Sequence, residues 1–118
     1  MTIDIKPDDD RGDDPPSINP RSHGKIPVAI LSSSTFYVPA SVDVSSLTFG
    51  RLGVEHSLDS CNPRGEDVNG DGLLDLVCRF TTQLTDFQPG DTQGVLRGQT
   101  VAGVAIVGTA PIRVGKRE

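Results

Sequence analysis

The sequence predicts an all-β fold, either a single-domain β-sandwich or a Greek-key barrel of about seven to eight short strands. Apolar residues come in short runs that lack the 3.6-residue period of an amphipathic helix. The 118 residues include 13 glycines and 9 prolines, which would interrupt nearly every potential helix. This is also the usual length of one domain with one core, so we expect residues 1–118 to fold together.

Eight segments combine apolar or β-branched residues with turn residues at their ends, and each predicts a strand. They are Thr2–Lys6, Ile26–Leu31, Ser46–Phe49, Gly53–Ser57, Leu73–Thr81, Gly94–Arg97, Val101–Val107 and Pro111–Val114. The runs IPVAIL and VAGVAIV are continuously apolar, which is typical of strands buried on both faces. LDLVCRF alternates instead, which predicts one face with Leu74, Leu76, Cys78 and Phe80 and an opposite face with Asp75, Val77 and Arg79.

Residues 8–20, DDDRGDDPPSINP, differ from the rest of the chain. Five of the first seven are aspartates, and three prolines follow. This composition predicts an acidic, proline-rich loop between the first strand and IPVAIL. Asp8, Asp10 and Asp13 form a candidate second cation site, and a loop that is simply solvated is the alternative.

The segment DVNGDGLLD, which runs from Asp67 to Asp75, has the residue pattern of a loop that binds a hard cation. Oxygen-bearing side chains alternate along it, and Gly72 permits the sharp turn that follows the third of them. Ca²⁺ prefers six to eight oxygen ligands, which carboxylates, amides and backbone carbonyls supply. The sequence therefore predicts Ca²⁺ as the cofactor. The predicted ligands are the side chains of Asp67, Asn69, Asp71 and Asp75 and the carbonyl of Leu73.

The twelfth position of this loop argues against an EF-hand. An EF-hand carries a bidentate Glu there, on the helix that leaves the loop. Here the residue is Cys78, in a segment that alternates like a strand, so the pattern favours a calcium loop embedded in a β-sheet. Mg²⁺ is a weaker candidate because it demands rigid octahedral geometry. A metal-free turn is the other alternative, since Asp and Asn side chains often bond their own backbone.

The two cysteines, Cys61 and Cys78, flank this loop. Neither they nor His23 and His56 show the spacing of a zinc site. In an oxidising compartment a Cys61–Cys78 disulfide would stabilise the chain by about 3 kcal/mol. Two unpaired thiols are the alternative.

Four stretches in fixed order resemble a small module of secreted and surface proteins from bacteria and archaea. The module's pattern is IDIKPG, SINP…IPVAIL, DVNGDG..DL and QPGDT. The matching stretches are IDIKPD (Ile3–Asp8), SINPRSHGKIPVAIL (Ser17–Leu31), EDVNGDGLLDLV (Glu66–Val77) and FQPGDT (Phe87–Thr92). The resemblance covers nearly the whole chain, although Asp8 replaces a glycine. The loop alone is also similar to those of dockerins and FG-GAP propeller blades, but dockerins pair two loops with helices and propellers repeat the blade.

This resemblance implies a calcium-binding accessory domain in an extracellular or cell-surface protein, and no defined activity. We expect its partners to be other domains of the same parent protein, whose targeting segment would lie outside this sequence. The alternative is a calcium-dependent carbohydrate- or protein-binding (adhesion) module that recognises a glycan or a cell-surface protein. Four Phe, one Tyr and no Trp weaken the carbohydrate version, because sugar sites often stack on aromatic rings.

Charge and motifs argue against several other functions. With a net charge of -5 and no basic cluster in the sequence, the chain does not resemble a nucleic-acid-binding protein. No stretch approaches the roughly 20 apolar residues of a membrane span. Serines near His23 and His56 are weak signs of a catalytic triad, and no GxSxG or zinc-protease motif is present. We therefore expect a protein that is not an enzyme.

Overall fold

The structure, a computed structural model, describes residues 1–7 and 15–115. Within these ranges it confirms the all-β class, with nine strands in place of the seven or eight expected. The strands are β1 (Ile3–Ile5), β2 (Ser17–Ile18), β3 (Lys25–Ile30), β4 (Val42–Gly50), β5 (Leu58–Cys61), β6 (Leu76–Thr81), β7 (Gln93–Thr100), β8 (Ala105–Pro111) and β9 (Arg113–Val114). One turn of α-helix, α1 (Val38–Ser41), and a 3₁₀ turn (Thr82–Leu84) complete the described elements.

The strands form two antiparallel sheets and one short parallel pair. The four-stranded sheet has the order β1-β3-β6-β5, and the three-stranded sheet has the order β4-β7-β8. β2 and β9 pair in parallel, so they join a segment near the start of the chain to one near its end. The central ladder between β3 and β6 runs from Lys25 opposite Thr81 to Ile30 opposite Leu76.

Aromatic side chains fill the space between the two larger sheets. The ring of Phe49, on β4, lies 5.0 Å from that of Phe80, on β6, and 5.7 Å from that of Phe87. All three rings are buried. At the edge, β8 lies so close to β1 that a Cβ added to Gly108 would be 2.9 Å from the Ile3 side chain. This arrangement is a β-sandwich with one core.

The prediction that VAGVAIV is a buried strand was wrong. Residues 101–103 form the turn between β7 and β8, and Val101, Val104 and Val107 are 71%, 60% and 46% exposed. The reason is that β8 is the edge strand of the three-stranded sheet, and its outer face has no layer above it. IPVAIL, in contrast, lies in the middle of the other sheet, where Val28, Ala29 and Ile30 are fully buried.

Several other predicted strand boundaries also differ from the structure. The predicted strand Pro111–Val114 is divided, because Pro111 ends β8 and β9 is Arg113–Val114. Gly53–Ser57 is not a strand: Gly53 has φ 88°, and the Glu55 carboxylate accepts the N–H groups of Leu52 and Gly53, which closes a turn there. β5 begins only at Leu58. The predicted strand began at Leu73, but Leu73 and Leu74 precede β6. Leu74 was predicted to share a face with Leu76, Cys78 and Phe80, yet it is 41% exposed whereas those three are buried.

Residues 8–20 are described only in part. Asp8, Asp10 and Asp13, the candidate second cation site, lie outside the described residues. Within the predicted loop, Ser17 and Ile18 form β2 because their backbone pairs with that of β9. Neither of the short helices in the described chain has the length or apolar character needed to cross a bilayer.

Candidate metal centre

The loop from Asp67 to Leu74 is closed at its base by the backbone. Glu66 N–H donates to the Asp75 carbonyl (2.8 Å), and Asp75 N–H donates to the Glu66 carbonyl (2.7 Å). Inside the loop, Gly70 and Gly72 adopt φ values of 75° and 86°, a conformation that glycine adopts readily and most residues avoid. The two glycines of the motif therefore permit the turn that brings the aspartates together.

Asp67 organises the interior of the loop through its carboxylate. One oxygen, Oδ1, accepts the N–H groups of Gly70 (2.8 Å) and Asp71 (3.2 Å), and Oδ2 accepts that of Gly72 (2.9 Å). These bonds, that of Gly72 foremost, lower the pKa of Asp67 below its usual 3.8 although desolvation opposes them. The first carboxylate of the loop is therefore held in its charged form at neutral pH.

Three carboxylates converge in this loop. Oxygens of Asp67, Asp71 and Asp75 all lie within 4.8 Å of one another. Two oxygens bound to one Ca²⁺ are at most about 4.6–5.2 Å apart, twice the metal–oxygen distance. Among the described residues no lysine or arginine forms an ion pair with any of the three. Like charges at this separation repel, and the group could hold a cation that balances them.

Asp75 is the buried member of this group. Its side chain is fully buried, whereas those of Asp67 and Asp71 are exposed. Asp75 Oδ1 accepts the Ser32 N–H (2.8 Å), and Oδ2 accepts the Val68 N–H (3.1 Å). A buried carboxylate is costly unless its oxygens are bonded. The same side chain thus contributes to the cation cluster and anchors backbone from a distant part of the chain.

Ser32 connects the loop to the segment that follows β3. Its hydroxyl donates to the Leu74 carbonyl (2.6 Å) and accepts the N–H of Val38 (3.0 Å), the first residue of α1. Ser32 and Val38 are both buried. Sequence analysis did not identify Ser32, because it lies 43 residues before Asp75 and no part of the calcium motif points to it.

Asn69 and Leu73 each form a hydrogen bond with Asp71, two residues away in the same loop. Asn69 Oδ1 accepts the Asp71 N–H at 3.4 Å, and the Leu73 N–H donates to Asp71 Oδ1 at 3.0 Å. Such bonds are those of the metal-free turn considered above. They account for the shape of the loop, but they do not balance the three converging charges. The roles of Asn69 and the Leu73 carbonyl as metal ligands stay predictions.

The disulfide joins the two cysteines that flank the loop. Cys61 on β5 lies directly opposite Cys78 on β6, and their sulfurs are bonded. The bridge encloses residues 62–77, and so it encloses the whole candidate metal loop. The Glu66–Asp75 backbone pair closes a smaller ring inside it.

The histidines lie apart from this centre. His23 is exposed, and its Nδ1 lies 3.3 Å from Nε2 of Gln83. His56 is also exposed. Within the described residues neither imidazole is hydrogen-bonded to a serine or a carboxylate, the pairing that nucleophilic catalysis requires.

Comparisons of the chain with models of protein families, with curated proteins and with solved structures found no match.

Proposed function

We propose that this chain is a noncatalytic structural module of an extracellular multidomain protein, and that Ca²⁺ in the Asp67–Asp75 loop stabilises its fold. The observation that carries the proposal is the convergence of Asp67, Asp71 and Asp75, none of which forms an ion pair with a described lysine or arginine. Hard carboxylate oxygens in an open, turn-rich loop suit Ca²⁺ better than Mg²⁺, which dehydrates reluctantly. Asn69 and the Leu73 carbonyl would supply further oxygens.

In this proposal the ion acts by linkage. It binds the folded loop and not the unfolded chain, so its binding free energy adds to the free energy of unfolding. Calcium sites of extracellular modules typically have dissociation constants of about 10⁻⁴–10⁻³ M. At millimolar calcium such a site is largely filled and adds about 1 kcal/mol.

Two further observations support an extracellular setting and a place beside other domains. The first is the Cys61–Cys78 disulfide, because disulfides form and persist in oxidising compartments such as the extracellular space. The resemblance to modules of secreted multidomain proteins points the same way, and it suggests that other domains of the parent protein are the partners.

The test is thermal unfolding with added Ca²⁺ and with excess chelator, on the wild type and on Asp71→Ala. We expect Ca²⁺ to raise the midpoint by about 3–6 °C, the shift that about 1 kcal/mol produces in a chain of this size. Asp71→Ala should lose this rise. The matched control is Asp59→Ala, which removes an exposed carboxylate on β5 and should keep the rise. Identical curves with calcium and with chelator would contradict the proposal.

One observation favours the alternative, a calcium-dependent carbohydrate- or protein-binding module. Tyr37 is 45% exposed, and it immediately precedes Val38, whose backbone is bonded to Ser32 and so to the metal loop. Retention on a glycan or cell-surface protein panel that chelator abolishes, and that Tyr37→Ala reduces, would favour this function. Failure on a broad panel would leave the structural one.

A further inference from the structure

We propose that a second site, a cleft at the opposite end of β3 from the calcium loop, binds the oxyanion group of a small ligand. The cleft has a volume of about 400 Å³, within the range of small-molecule sites. Lys6 after β1, Lys25 at the start of β3 and Arg113 on β9 all line it. This inference does not depend on the calcium loop.

The described lining of the cleft is cationic, whereas the chain as a whole is acidic. The chain has a net charge of -5, yet three cationic side chains and no Asp or Glu are among the described residues that line the cleft. Their positive potential adds up inside a concave surface, where low-dielectric walls strengthen it. A negatively charged ligand is the class that such a cleft attracts.

Two of the cations are held at the wall of the cleft by the fold. Lys6 has φ 53°, a conformation that lysine rarely adopts, and its Nζ donates to the Ser17 carbonyl at 2.7 Å. Arg113 lies in the β2–β9 pair, where its N–H donates to the Pro16 carbonyl. The backbone thus fixes the positions from which both side chains reach the cleft.

Ion pairs with described residues neutralise little of the positive charge of Lys25 and Arg113. The partner of Lys25 is Asp59 at 3.8 Å, and both side chains are about two-fifths exposed, so this ion pair is weak. Arg113 forms no ion pair with any described residue. Its planar guanidinium can donate two parallel hydrogen bonds to a carboxylate, sulfate or phosphate.

Neutral donors lie beside these cations. Ser22 Oγ accepts the Gly24 N–H (3.0 Å), which leaves the hydroxyl hydrogen to donate elsewhere. Asn19 Oδ1 accepts the Arg21 N–H (3.1 Å), so its NH₂ group is the part not used in that turn. Ile18 and Ile26 supply an apolar wall. An oxyanion attached to a small organic frame, such as a sugar acid, therefore fits the lining better than a bare ion.

The position of the cleft separates it from the calcium loop. Lys25 begins β3, whereas Ser32, which is bonded to Asp75, follows the other end of that strand. Seven extended residues span about 23 Å, so the two sites lie at opposite ends of the four-stranded sheet. We therefore expect Asp71→Ala to leave anion binding unchanged.

The experiment is an NMR titration of backbone amides with sulfate, phosphate and glucuronate, each at constant ionic strength and constant calcium. We expect saturable shifts at Asn19, Gly24 and Gly115, and Arg113→Gln should weaken binding about tenfold. Lys25→Gln should also weaken anion binding, so that the conclusion does not depend on the correct folding of one variant. The matched control is Arg79→Gln, which removes an exposed cation of β6 outside the cleft. Of the three anions, glucuronate should bind most tightly, because it carries its oxyanion on a small organic frame.

Three outcomes would overturn this proposal. The first is the absence of saturable shifts with all three anions. The second is equal binding by wild type and Arg113→Gln, which would mean diffuse surface attraction. The third concerns residues 8–14, whose five aspartates directly follow Pro7 in the sequence. If anions bind only after these aspartates are changed to asparagine, the cations of the cleft interact with the chain's own carboxylates and not with an outside ligand.

Discussion

Asp75 and Asp71 belong to the same loop, but they differ in what their side chains hold without a metal. Asp75 is buried and accepts N–H groups from Ser32 and Val68. Asp71 is exposed, and among the described residues its carboxylate accepts only the N–H of Leu73, two residues along the chain. Asp75 therefore stabilises both the loop and the buried segment at Ser32, whereas Asp71 stabilises the loop alone.

This difference predicts distinct effects of alanine substitution. Asp75→Ala leaves two N–H groups without their acceptor, so it should lower the free energy of unfolding by about 2–4 kcal/mol in chelator. In calcium the cost should be about 1 kcal/mol larger, because the variant also loses a proposed ligand of the ion. Asp71→Ala should lower it by about 1 kcal/mol in calcium and by much less in chelator. Urea unfolding of both variants under the two conditions measures these values. An equal cost for the two variants in chelator would contradict the role assigned to Asp75.

At the scale of single residues, the sequence motif identified the three aspartates but not the hydrogen bonds that hold Asp75 in place. Asp67, Asp71 and Asp75 were predicted together because their spacing is a local property of one loop. The burial of Asp75 was not predicted, because alternation along LDLVCRF says only which residues share a face. Nor was Ser32, since a hydrogen bond between residues 43 positions apart leaves no pattern in the sequence.

At the scale of elements, the contact between the loop and α1 predicts that calcium protects a distant segment from hydrogen exchange. The Ser32 N–H bonds Asp75, and the Val38 N–H bonds Ser32. If calcium stabilises the loop by about 1 kcal/mol, both amides should exchange up to about fivefold more slowly when it is bound. Hydrogen-exchange NMR on the wild type and on Asp71→Ala measures the effect.

The amide of Ile112 is the control for this measurement. It donates to the Thr92 carbonyl, and neither residue belongs to the loop or to the segment from Ser32 to Val38. Under conditions in which this amide exchanges by local opening, its exchange should not respond to calcium. Equal slowing at Ile112 and Val38 would instead mean that calcium acts only on global unfolding, and the local coupling would be disproved.

Element boundaries show where sequence patterns stop being informative. β3 was predicted to within one residue at each end because burial on both faces leaves a long apolar run. VAGVAIV has the same pattern but lies at a turn and an edge, since strand order depends on pairing between distant segments. α1 was not predicted either. Its single turn is too short to show a helical period, and part of its support comes from Ser32.

At the scale of the whole molecule, the position of Phe49 predicts that the two sheets unfold together. Its ring bridges Phe80 of the opposite sheet and Phe87. Phe49→Ala should lower the free energy of unfolding by about 3–5 kcal/mol, and both sheets should still unfold in one transition. Circular dichroism and NMR during urea unfolding report this. Two separate transitions would contradict the existence of one shared core.

Two further variants make this result interpretable. Phe49→Leu keeps most of the apolar volume, so it should cost less than Phe49→Ala and remain folded if the alanine variant does not. Val107→Ala shortens a side chain that is 46% exposed on β8, and it should change the free energy of unfolding by no more than about 0.5 kcal/mol.

The Cys61–Cys78 bridge has a mechanical consequence for a module joined to other domains. When the ends of the chain are pulled apart, the force passes from β5 to β6 through the sulfur–sulfur bond, and residues 62–77 bear none of it. The fully stretched chain is then shorter by about 6 nm than that of the reduced protein, because the bridge spans 17 residue steps of about 3.5 Å. The ends of the calcium loop thus stay tethered under a load that pulls the surrounding strands apart.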